Sequence, residues 1–95
     1  MEKPRLPRKR AVALRYEAQR DAAPRVIAKG SGLLAERILE LAREHGVHIH
    51  EDPDLVTILS KLDIDTAIPE ELYKTVAEIL AFVYRLNRDA AKNPA

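Results

Sequence analysis

Apolar and polar positions along the chain fall into two kinds of pattern, and the change from one to the other outlines the fold. Residues 11–16 (Ala11-Val12-Ala13-Leu14-Arg15-Tyr16) alternate, with Val12, Leu14 and Tyr16 on one side and Ala11, Ala13 and Arg15 on the other. That two-residue period predicts a first strand. After the polar connection Glu17–Ala23, Pro24 introduces Arg25-Val26-Ile27-Ala28, a short β-branched run that ends at Gly30-Ser31-Gly32. It predicts a second strand over about 25–29 followed by a turn. From there the period lengthens. Leu34, Ala35, Ile38, Leu41 and Ala42 recur at helical spacing, with Glu36, Arg37, Glu40, Arg43 and Glu44 opposite. A helix over about 31–45 follows, with the Ser31 hydroxyl as its expected N-cap and Gly46 as its left-handed stop.

Val47-His48-Ile49-His50-Glu51 alternates again and predicts a third strand over 47–51, with Val47 and Ile49 turned inward. Strand, helix and strand in about 30 residues is the pattern of a right-handed parallel crossover. Asp52-Pro53-Asp54 supplies a cap, a first-turn proline and an acid suited to the helix dipole. It opens a helix over about 53–62 carrying Leu55, Val56, Ile58, Leu59 and Leu62. Pro69-Glu70-Glu71 opens a last helix over about 69–87 by the same logic. Its broad apolar stripe comprises Leu72, Tyr73, Val76, Ala77, Ile79, Leu80, Val83, Tyr84 and Leu86. The predicted class is α/β: a small mixed three-stranded sheet flanked by three helices, in a single domain spanning 11–88. Residues 1–10 carry two prolines and no period, which predicts a flexible arm, and residues 89–95 a frayed tail.

Composition changes this picture in two places. The 95 residues suffice for one modest core. The 16 basic and 15 acidic side chains nearly cancel, so net charge gives no general attraction to nucleic acid or anionic lipid. The basic charge is uneven, however. Lys3, Arg5, Arg8, Lys9 and Arg10 stand against Glu2 alone in the first ten residues. The absence of cysteine excludes disulfides and thiol chemistry. No apolar run is long enough to span a bilayer and no signal-peptide pattern is present, so the chain as it stands is expected to be soluble and cytoplasmic.

Candidate chemistry is sparse. On a strand His48 and His50 would share a face, and His45 is close in sequence. No third ligand stands in an evident position, and a cationic histidine suits a helix C-terminus, so no metal site is assigned. Gly30-Ser31-Gly32 lies between a strand and a helix. It lacks both the Walker spacing and a full GxGxxG, and its glycines read as a turn with Lys29 merely adjacent. Neither Ser31 nor Ser60 sits in a nucleophile elbow, and no base and orienting group accompany them. Neither catalytic residues nor a cofactor are expected. The basic arm suits a phosphate backbone, but four aromatic residues and no RNA-binding signature leave little to recognise bases. Nucleic-acid binding is therefore the second reading. Phe82 falls between the apolar edge at Ile79 and Leu86 and the polar side at Glu78 and Arg85, which makes it a core rim or a partner contact.

Taken in order, several segments resemble the cytoplasmic C-terminal domain of the FlhB family, the flagellar members of the type III secretion export-switch proteins. They are Ala11-Val12-Ala13-Leu14-Arg15-Tyr16, Ala23-Pro24-Arg25-Val26-Ile27-Ala28-Lys29-Gly30, Leu33-Leu34-Ala35, Ala42-Arg43-Glu44-His45-Gly46-Val47, Glu51-Asp52-Pro53, Ile68-Pro69-Glu70-Glu71-Leu72-Tyr73 and Ala77-Glu78-Ile79-Leu80-Ala81-Phe82-Val83-Tyr84. The resemblance covers about residues 7–86. It implies a small sheet flanked by helices and a non-enzymatic, protein-binding role at the export gate. The implied partners are export-apparatus proteins, export substrates or the membrane part of a full-length homologue.

Two departures from the family pattern carry expectations. Family members have membrane helices before this domain, and this chain has none. They also cleave themselves at an Asn-Pro-Thr-His turn, where the asparagine amide attacks its own carbonyl. The matching positions here read Leu6, Pro7, Arg8 and Lys9. Leu6 offers no amide nucleophile, so self-cleavage is not expected. The strand that precedes the cleavage turn in the family has no evident counterpart in Met1–Arg5. One sheet edge is then expected to lack its neighbour and to be open to a partner or to a second copy. Arg8, Lys9, Arg10 and Phe82 are the expected partner contacts. The resemblance places the protein in the cytoplasm, at the inner face of the membrane.

Overall fold

A computed structural model describes residues 9–92. Its sheet consists of β1 (Arg10–Arg15) and β2 (Arg25–Ser31), which run antiparallel with Ala11 opposite Gly30 and Ala13 opposite Ala28. Directly paired residues share a face, so these four small side chains form one side of the sheet. Helix α1 (Leu33–Glu44) packs there. Gly30 shows why the side chains must be small: a Cβ at this position would run into the Leu34 side chain. Ala35, on the inner face of α1, is fully buried.

The opposite face carries Val12 and Leu14, which pack against a core of Ala23, Leu55, Leu59, Ile68 and Val76. Leu55 and Leu59 come from α2 (Pro53–Leu59), and Val76 from α3 (Tyr73–Lys92). Val26 and Val76 are the largest fully buried side chains. Each contributes about 1.5–3 kcal/mol relative to an exposed side chain.

The α/β class stands, with two strands among the described residues in place of the three expected. Residues 47–51 form no strand, and among the described residues there is no parallel crossover. The end of α1 explains part of this. Gly46 takes a left-handed φ of 66° and donates to Arg43 O, while the Val47 amide donates to Ala42 O. This is the Schellman arrangement, and it spends the Val47 amide on the helix rather than on a sheet. The outer edge of β2 is taken instead by residues 65–68. Val26 N–H donates to Thr66 O at 3.0 Å, Asp65 N–H to Val26 O at 2.7 Å, and Ile68 N–H to Pro24 O at 2.9 Å. An isolated antiparallel bridge joins Arg25 and Ala67. Asp65 makes the tight entry to this segment with a φ of 73°, a region that aspartate tolerates better than most residues.

The two helix starts differ from each other. Asp52 caps α2 as expected, its Oδ1 accepting from Leu55 N–H at 3.0 Å with Pro53 in the first turn. Ser31 does not cap α1. It is the last residue of β2, opposite Arg10, and Gly32 (φ 62°) turns the chain into a helix that has no side-chain cap. The helix expected over 53–62 ends at Leu59. The chain then tightens, with Lys61 N–H donating to Ile58 O and Leu62 N–H to Leu59 O. The last helix expected over 69–87 is a 3₁₀ turn at Glu70–Leu72 leading directly into α3, which continues to Lys92.

Candidate protein-binding surface

The outer edge of β1 has no partner strand among the described residues. Lys9 and Arg10 are exposed at its start and Arg15 at its end. Leu6, Pro7 and Arg8, the remaining residues of the expected cleavage position and basic contact, lie outside the described residues. Gly32 N–H donates to Lys9 O at 2.8 Å, so the Lys9 backbone is fixed beside the start of α1 while its side chain faces outward.

The other end of β1 is organised by Asp21. Its carboxylate accepts from Glu17 N–H at 2.9 Å and meets the Arg15 guanidinium at 3.5 Å, and its side chain is only 4% exposed. The hydrogen bond from the Glu17 amide holds its carboxyl below the ordinary carboxylate value. Partial burial opposes this, and the charges of Arg15 and Arg25 reinforce it. The position was not evident from sequence. A carboxylate in a polar connection reads as solvated, and only the folded turn brings the Glu17 amide onto it.

Lys29 has a structural role that the sequence did not disclose. Its ammonium donates to Leu62 O at 2.7 Å and to Ser60 O at 3.2 Å, at the C-terminal end of α2. A cation there satisfies carbonyls that the helix leaves unpaired and opposes the negative end of its dipole. Lys29 is thereby committed, and the Gly30-Ser31-Gly32 turn beside it is occupied by the strand-to-helix transition.

Phe82 is 46% exposed on α3 and meets the ring of His48 edge-on, with centroids 5.6 Å apart. The connection between α1 and α2 thus rests on α3 at the residue expected to be a rim or a contact. His45 Nδ1 lies 2.9 Å from Leu41 O at the end of α1. Among the described residues no three His, Cys, Asp or Glu side chains come close enough to hold a metal ion. Beyond Leu80 the apolar stripe of α3 continues outward, and Tyr84 and Leu86 are exposed. No helix of the described residues is long and apolar enough to cross a membrane.

The comparisons with known proteins agree with this architecture. A sequence profile of the FlhB HrpN YscU SpaS Family matches residues 6–83. YlqH of Bacillus subtilis (strain 168) is 48% identical over 91 residues, which is 96% of this chain and 97% of that protein. The flagellar biosynthetic protein FlhB of Salmonella typhimurium is 46% identical over 79 residues, 82% of this chain. The chain spans 21% of that protein's length. Among solved structures, the cytoplasmic domain of FlhB from Shewanella putrefaciens superposes with a TM-score of 0.79 at 40% identity. It covers 87% of this chain and 65% of that one. The PscU C-terminal domain superposes with a TM-score of 0.73 at 28% identity, covering 78% and 95%. The extent of the family match and the agreement of the fold lead to one assignment: the chain belongs to the FlhB HrpN YscU SpaS family.

Proposed function

We propose that this protein is a non-enzymatic binding module of the flagellar or type III export apparatus, acting through contacts with export components or their substrates. The observation that carries this reading is its likeness to the FlhB cytoplasmic domain in both sequence and fold. The arrangement of its side chains is consistent with binding. The core residues are apolar, while Lys9, Arg10, Arg15 and several large apolar side chains face outward. In this reading the protein works in the cytoplasm beside the export gate and biases which substrates pass.

Leu6 stands where the family resemblance expects the cleaving asparagine, and a leucine side chain has no nitrogen or oxygen to attack the backbone. The Leu6–Pro7 bond is therefore stable in this reading, and intact mass stays constant on long incubation. A fragment ending at Leu6 would overturn that part of it.

The role itself is tested in a flagellated bacterium whose FlhB has lost its cytoplasmic domain. Supplying this chain is expected to restore part of hook and filament subunit export, and unchanged loss of export would overturn the proposal. A gel-shift assay with generic DNA separates the electrostatic alternative. Salt-sensitive binding that disappears when Arg8, Lys9 and Arg10 are replaced by alanine would favour a nucleic-acid role.

A further inference from the structure

The backbone of β1 points to a specific kind of ligand. In an antiparallel ladder alternate residues turn their amide and carbonyl groups away from the partner strand. Val26 uses its amide and carbonyl on Thr66 and Asp65, away from β1, so Leu14 opposite it faces outward on the other side. At the far end Gly32 donates to Lys9, which places Arg10 and Val12 in the outward set before the irregularity at Ala13 and Leu14. Among the described residues no backbone group outside the ladder pairs with Arg10, Val12 or Leu14. Their amides and carbonyls form a row able to accept another strand.

Charge decides which strand fits. Lys9 and Arg10 stand at one end of the row and Arg15 at the other, all exposed. A second copy pairing antiparallel through β1, with Val12 opposite Val12, would set Lys9 of each chain opposite Arg15 of the other, and like charges directly opposed destabilise a pair. The chain's own Met1–Arg5 brings Lys3 and Arg5, and Pro4 lacks an amide to donate. Neither sequence complements the edge. An extended segment with acidic residues at both ends does, with the stronger demand at the Arg10 end, because Arg15 already shares Asp21. We propose that β1 binds, by strand addition, an extended segment of another protein that carries acidic residues flanking an alternating apolar stretch. This rests on the sheet alone and holds or fails independently of the export role.

The test uses the full-length chain labelled for NMR. The probe is an end-blocked six-residue peptide with glutamate at both termini and alternating threonine and valine between them. Titration to millimolar peptide is expected to shift the amide signals of Arg10, Val12 and Leu14 and to slow their exchange with solvent. A control peptide with lysine at both termini should bind about tenfold more weakly, from two opposed pairs each changing sign. Exchanging Arg10 and Arg15 for glutamate should reverse that preference. Three outcomes would overturn the proposal. They are no shift at these amides, equal binding of the two peptides, and protection of the amides in peptide-free protein. Protection that grows with protein concentration would indicate a second copy, and constant protection would indicate the chain's own residues.

Discussion

The two edges of the small sheet are made from similar strands and end differently. The outer edge of β2 is closed by residues 65–68 through three backbone hydrogen bonds, and the Arg25 guanidinium adds a bond to Asp65 O. The outer edge of β1 receives no such segment among the described residues and is bordered by Lys9, Arg10 and Arg15. Burial separates them. Val26 on β2 is fully buried and Ile68 on the covering segment is 2% exposed, so apolar packing holds that edge shut. On β1 the alternate side chains face the core or α1, and the edge itself presents only backbone and charge. The first edge contributes to stability, and the second has no covering segment among the described residues.

Closure of β2 depends most on Ile68. Replacing it with alanine removes a buried anchor beneath the covering segment and should lower unfolding stability by about 2–5 kcal/mol, read from the urea midpoint. The Val26 and Ile68 amides should then exchange with solvent faster than those of α1. A loss below about 0.5 kcal/mol, the range of surface substitutions, would show that the segment is held by its backbone bonds rather than by packing.

Lys29→Met keeps the stem but removes the ammonium from Ser60 O and Leu62 O. The loss should be about 1–3 kcal/mol, the usual cost for bonds to a charged group, and it should loosen the end of α2 before β1. Amide exchange at Lys61 and Leu62 is the direct readout.

Asp21 gives a pH-dependent signature at the β1 end of the sheet. Because its folded pKa is lowered, its stabilisation is fully present above its ordinary value near 3.8. That stabilisation is lost as pH falls through the folded value. Asp21→Asn should flatten this acid-side slope of stability while leaving stability nearly independent of pH from 6 to 8. An unchanged slope between pH 2 and 4 would assign acid sensitivity to other carboxylates.

Arg10→Glu should leave unfolding stability within about 0.5 kcal/mol, as expected for an exposed position, while weakening any acidic strand partner. Together with Ile68→Ala it makes the sharpest contrast: one edge whose loss unfolds the chain, and one whose charge alters only what binds. A large destabilisation by Arg10→Glu would end the distinction.

Much of the local structure was legible in residue order. Alternation marked β1, a β-branched run between Pro24 and Gly30 marked β2, and the helical period marked α1, α2 and α3. Asp52-Pro53 and Gly46 marked a helix start and a helix stop through bonds made within four or five residues. The readings that failed depended on competition between distant segments. Val47–Glu51 alternates as a strand would, yet the Val47 amide is taken by α1, and the β2 edge goes to residues 65–68, which show no strand period. Ser31 is a good cap by type, but pairing with Arg10 draws it into the ladder. Of the expected contact residues, Lys9 and Arg10 lie at the open edge and Phe82 touches His48, a pairing that no spacing rule gives.

Residue order alone was enough for β1, β2 and the three helices, for the α/β class and for the family. Each of these follows from short-range periodicity, from capping chemistry or from residue identity. Tertiary packing set the antiparallel pairing of β1 with β2, the covering of the β2 edge by residues 65–68, and the anchoring contacts of Lys29 and Asp21. Those outcomes depend on which of several segments with suitable backbone groups reaches an edge while also burying apolar surface. That contest is settled by packing across 30 or 40 residues of chain, as the Arg25–Asp65 and Lys29–Leu62 bonds show, and not by the local pattern of any one segment.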